Sequence, residues 1–122
     1  MRVLVADSQA QVRSALRLLL EQEADITVVG EAVVAADLLA LAKATRPELV
    51  LLAWELPGLA SGRSACAALH ALEPQPAVLA LSGRPEAASL ALGAGADGFV
   101  CKGDPPEQLL GTLRALRAGG AM

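Results

Sequence analysis

Five times in succession the chain runs a short uninterrupted apolar stretch into a segment whose apolar residues recur at helical spacing. Val3-Leu4-Val5 passes, after Asp7-Ser8, into Val12, Ala15, Leu16, Leu19 and Leu20. Ser8 with Gln11 three residues later reads as a capping box that starts this first helix. Thr27-Val28-Val29 leads to Ala35, Leu38, Leu39 and Ala42, and Pro47 closes the second helix. Leu49-Val50-Leu51-Leu52 is the most apolar run, the pattern of a central strand covered on both faces, and Pro57-Gly58 turns the chain after it. A third helix carries Ala65, Ala68, Leu69 and Leu72. Val78-Leu79-Ala80-Leu81 is the fourth strand, and Pro85 opens an Ala-rich helix to about Leu92, which Gly93 and Gly95 end. Phe99-Val100-Cys101 is the fifth strand, after which Asp104 caps and Pro105 opens a last helix bearing Leu109, Leu113 and Leu116.

Crossovers of this kind are right-handed and both sheet faces need cover. The economical arrangement is therefore an α/β fold, a doubly wound five-stranded parallel sheet of flavodoxin-like order 2-1-3-4-5. Ligands in such folds sit at the carboxyl ends of the strands.

A length of 122 residues fits one domain, and 54% hydrophobic against 19% charged residues argues against disorder. The expected division is a domain over 1–118 and a short tail or linker over 119–122. A net charge of -3 gives no basic footprint, and Trp54 and Phe99 are the sole aromatics, so direct nucleic-acid binding by this domain is not expected. No apolar run approaches the length of a membrane span, and the N-terminus lacks a secretory pattern, which predicts a soluble cytoplasmic chain with no membrane partner. Cys66 and Cys101 show no metal-ligand spacing and read as reduced packing residues. Trp54 reads as a partly buried packing residue, and His70, on the third helix without a nearby Cys or acidic residue to share a metal, as a solvent-facing histidine.

Polar residues recur at the strand ends: Asp7 after strand one, Glu55 just past strand three, Ser82 after strand four and Lys102 after strand five. Singly, each has a plain structural reading as a turn or helix-start residue. Together, the segments Val3-Leu4-Val5-Ala6-Asp7, Val50 through Gly58, Leu81-Ser82 and Gly95 through Lys102 closely resemble the receiver domain of two-component response regulators, a CheY-like (βα)5 fold, over essentially the whole chain. Gly93-Ala94-Gly95-Ala96-Asp97-Gly98-Phe99 is most similar to receivers that precede a LuxR-type helix-turn-helix, the NarL-like subfamily.

The resemblance implies a role for each position. The family places two acidic residues after strand one, where this chain has Asp7 and Ser8. It places the phosphorylated aspartate at the end of strand three, where this chain has Ala53. A methyl group cannot attack a phosphoryl donor, so the resemblance implies a degenerate pseudo-receiver. Ser82 matches the hydroxyl that contacts the acyl phosphate, Lys102 the ammonium that pairs with it, and Phe99 the aromatic that changes rotamer on activation. Glu55 stands where the backbone carbonyl supplies a metal ligand.

Asp7 and Lys102 cancel, so Mg²⁺ binding should be weak or lost, with Asp7 and Glu55 as its remnant and no cofactor expected. Asp7 and Lys102 are expected to form an ion pair, and the Glu55 side chain to face solvent. The expected function is a non-enzymatic signalling module of a two-component phosphorelay. It would be independent of phosphorylation, work through protein partners, form a possible homodimer through the last helix, and regulate transcription through a separate DNA-binding domain. The competing expectation is a residual phosphoryl-accepting switch or small-ligand sensor built on Glu55, Ser82 and Lys102.

Overall fold

The computed structural model describes residues 1–120, with side chains through Arg117. Its elements alternate without exception: β1 (Arg2–Ala6), α1 (Ala10–Glu21), β2 (Thr27–Ala32), α2 (Ala35–Thr45), β3 (Leu49–Ala53), α3 (Gly62–His70), β4 (Ala77–Ser82), α4 (Ala87–Gly93), β5 (Gly98–Cys101) and α5 (Pro106–Gly120). The strands form one sheet in the order β2-β1-β3-β4-β5, every neighbouring pair parallel, as the alternation predicts.

Side chains on a strand alternate between faces, and this alternation divides the core in two. Leu4, Ala6, Val50, Leu52, Val78 and Ala80 face α2, α3 and α4, where Leu38, Ala42, Cys66, Leu69 and Ala91 meet them. Val3, Val5, Leu49, Leu51, Leu79 and Leu81 face the opposite way, toward Leu20 of α1 and Leu109 and Leu113 of α5. All of β3 is buried, which is why its sequence is an unbroken apolar run.

Several element boundaries differ from the sequence reading. The fourth helix starts at Ala87, two residues after Pro85, and the third ends at His70, before Leu72. The last helix begins at Pro106; Asp104 does not cap it but turns its carboxylate back to accept the Cys101 N–H at 3.1 Å. That helix continues through Gly120, past the expected boundary at 118, and the final two residues of the expected tail lie outside the described residues. Among the described residues no helix is long and apolar enough to cross a membrane.

Two glycines set the path from β3 to α3. Gly58 takes a φ of +89°, a region open to glycine, to turn the chain. Gly62 lies so close to the Trp54 ring that an added Cβ would stand 2.1 Å from it, so the indole packs directly on the start of α3.

Candidate functional site

At the carboxyl ends of the strands the fold brings together Asp7 beyond β1, Ala53 at the end of β3, Ser82 at the end of β4 and Lys102 beyond β5. Asp7, Ser8, Gln9, Ala53, Glu55, Gly83, Arg84 and Lys102 line an open cleft of about 380 Å³. This is the crevice in which doubly wound sheets hold ligands.

Asp7 is buried, 1% exposed, yet charged, so its partners decide whether the site is stable. Its Oδ1 accepts the Gln9 N–H at 2.8 Å, and its backbone carbonyl accepts from Arg13 Nη1 at 2.9 Å. Its Oδ2 lies 2.7 Å from Lys102 Nζ, while among the described residues no donor is aligned for a hydrogen bond to that oxygen. The contact is therefore held by charge. Lys102 also reaches Gln9 Oε1 at 3.4 Å, and its backbone N–H donates to the Ser82 carbonyl at 2.8 Å. Ser8 does not form the expected capping box: Gln9 is the residue before α1, no side chain caps that helix, and Ser8 is exposed. The Asp7 turn through Gln9 N–H takes the place of that cap.

Glu55 is exposed, as expected, yet its carboxylate also takes the Ser82 hydroxyl, with Ser82 Oγ 2.9 Å from Oε2 and 3.1 Å from Oε1. Ser82 is fully buried, and a buried hydroxyl requires an acceptor, which Glu55 supplies. Arg84 joins them: its backbone N–H donates to Ser82 Oγ at 3.1 Å and its guanidinium stands 3.5 Å from Glu55 Oε2. No sequence pattern marks Gln9 or Arg84 as a site residue. The one cue to Arg84 is its place two residues past a polar strand end.

Phe99 and Trp54 are both half-buried against the core layer shared with α2, α3 and α4. Phe99 sits beside Ala80, and Cys101 beside Ser82, in the β4–β5 ladder. His70 is only partly exposed and not simply solvent-facing, because Asp97 Oδ2 lies 2.8 Å from its Nε2 and also accepts the Val78 N–H at 2.7 Å. Burial pushes the Cys66 thiol up, and the charge of Asp97 adds to that shift. Both cysteines are free. On α5, Leu109 and Leu113 point inward, whereas Arg114 and Arg117 lie at the surface and pair with Asp25, Arg114 also with Glu23. The Arg114 hydrogen bond holds the Asp25 carboxyl below its usual range.

A divalent cation such as Mg²⁺ wants free oxygen ligands and net negative charge. Here Asp7 Oδ2 is taken by an ammonium, the Glu55 carboxylate by Ser82 and Arg84, and Ala53 presents a methyl. The two carboxylates and two cations lining the cleft cancel. The residues present do not fit Mg²⁺, and no cluster of three or more metal-ligating side chains occurs among the described residues. Millimolar Mg²⁺ should therefore leave Trp54 fluorescence unchanged, and a saturable response with a sub-millimolar midpoint would contradict the charge count.

Comparison with known proteins gives a consistent result. The family described as the response regulator receiver domain matches residues 3–114. The chain is 33% identical to the transcriptional regulatory protein YxjL of Bacillus subtilis, over 99% of this chain and 56% of that protein. It is 34% identical to the nitrate/nitrite response regulator protein NarL of Escherichia coli, over 96% of this chain and 55% of that protein. Among solved structures, a LuxR-family two-component response regulator from Aurantimonas sp. superimposes with a TM-score of 0.85 at 29% identity, over 97% of this chain and 85% of the other. The chain spans about half the length of the curated relatives it matches.

Proposed function

The chain belongs to the response regulator receiver domain family, in its NarL/LuxR-like branch, and from that premise we propose that it signals without aspartyl phosphorylation, through contact with partner proteins. Receiver domains of this family are signalling modules and not enzymes. The observation that carries the proposal is Ala53. It closes β3 at the floor of the cleft, where the family carries its phosphorylated aspartate, and its methyl offers no nucleophile. The Asp7–Lys102 contact supports the same reading, since it neutralises the charge a metal-dependent transfer would need.

The name of YxjL, a transcriptional regulatory protein, favours a role in transcription, which would be exerted in the cytoplasm through a DNA-binding segment outside this chain. Self-association would use α5 and the adjoining strand edge, with Leu113 buried within the domain and Arg114 and Arg117 at the surface.

The test is incubation with a small phosphoryl donor and Mg²⁺, followed by intact mass. The expected spectrum is that of the unmodified chain. Addition of one phosphoryl group would overturn the proposal. Loss of that addition in Glu55→Gln would favour the residual-acceptor reading, because the Glu55 carboxylate is partly open to solvent beside Ser82 and Arg84.

A further inference from the structure

The hydroxyl and cationic groups at the carboxyl rim of the sheet already have anionic partners from the chain itself. Ser82 Oγ shares its proton between the two oxygens of Glu55, while the backbone N–H of Arg84 stands behind it as a donor. The Arg84 guanidinium flanks the same carboxylate, and Lys102 is held by Asp7. Below them the small Ala53 side chain leaves the cleft unfilled, at about 380 Å³. An ion pair with a largely exposed arginine gives a carboxylate little reason to stay in one place. The fully buried Ser82 does, because among the described residues its hydroxyl has Glu55 as its acceptor.

We propose that Glu55 is the built-in occupant of an anion-binding position formed by Ser82 and Arg84, and that its carboxylate sets the end of β4 in the way an external oxyanion would. The proposal rests on the reading above that position 53 carries no phosphoryl group. Ser82 is coupled to the last strand by two routes. Its carbonyl accepts the Lys102 N–H, and its place in the ladder opposite Cys101 puts Ala80 and Phe99 one step along the same face. Removing the Glu55 carboxylate frees the Ser82 hydroxyl and opens room for a small oxyanion beside it.

The test is chemical rescue, read by amide NMR on the whole chain. Glu55→Ala should shift the amides of 82–84 and, through the ladder, those of 99–102. Sodium acetate or inorganic phosphate, titrated against sodium chloride at matched ionic strength, should return them toward their wild-type positions with a saturable midpoint in the millimolar range. The wild type should show no saturable response. Glu55→Gln keeps the shape and an acceptor, so its shifts should be smaller and it should take up no anion. Three results would each overturn the proposal: shifts in Glu55→Ala confined to 54–56 and 82–84, shifts that neither anion reverses, or anion uptake by the wild type equal to that of the variant. No phosphoryl donor is present in these titrations. A failure here thus sinks the role given to Glu55 and leaves the mass measurement to decide on phosphorylation.

Discussion

The double variant Ser8→Asp, Ala53→Asp should take up a phosphoryl group from a small-molecule donor in the presence of Mg²⁺, whereas Ala53→Asp alone should label about tenfold less or worse. Ala53 sits at the floor of the cleft, and an aspartate there supplies the missing nucleophile. The single variant still has Asp7, Glu55 and the new carboxylate facing Lys102 and Arg84, a net charge of only -1 with one acid already paired to Lys102. Adding Asp at position 8 brings the net charge to -2 in a part of the cleft that is open to water. One carboxylate about 4 Å from a cation, at the effective dielectric near a protein surface, is worth up to ~4 kcal/mol per unit charge, so a tenfold change in cation occupancy is a modest expectation. Labelling should be followed by intact mass and not by conformation, because Glu55 still holds Ser82 in the variant. Equal labelling of the single and double variants would show that Ser8 is not a second defect.

Much of the fold was legible because the determinants were local. A strand buried on both faces must be apolar throughout, and β3 is; helices that cover one face must repeat at helical spacing, and α1 and α5 do. The strand ends then follow from the strand limits, which is why Asp7, Ser82 and Lys102 could be placed in one crevice from the sequence. What escaped was contact between residues far apart in the chain. Glu55 meets Ser82 across 27 positions, and His70 meets Asp97 across another 27. Neither pair has a spacing signal, since each depends on how a loop returns over a strand end. Ser8 failed for a different reason. Ser-x-x-Gln is compatible with a capping box, but the Asp7 carboxylate takes the Gln9 N–H and the helix begins at Ala10, one residue too late for Ser8 to be its cap. The start of the last helix failed similarly, with Asp104 turning back to Cys101.

Lys102→Met should destabilise the domain by about 3 kcal/mol, the lower end of the cost of breaking a buried ion pair. Methionine keeps an unbranched apolar stem and deletes the ammonium, leaving Asp7 Oδ2 without the charge 2.7 Å away that holds it. Asp7 is 1% exposed, so water cannot readily replace the lysine at the carboxylate. The 24% exposure of the Lys102 side chain admits some solvent from its own side, which is why the lower end applies. For a domain of this size the change corresponds to a fall in Tm of roughly 10 °C or more. The diagnostic measurement is the double-mutant cycle with Asp7→Asn. Asparagine retains an oxygen for the Gln9 N–H but carries no charge, so the combined variant should recover most of the loss. Additive effects, or a single-variant loss within about 0.5 kcal/mol, would mean that Asp7 does not depend on Lys102. The loop that follows β5 would then be held by its backbone bonds and by Asp104, through the Lys102 N–H to Ser82 and the Cys101–Asp104 turn, without help from the ion pair.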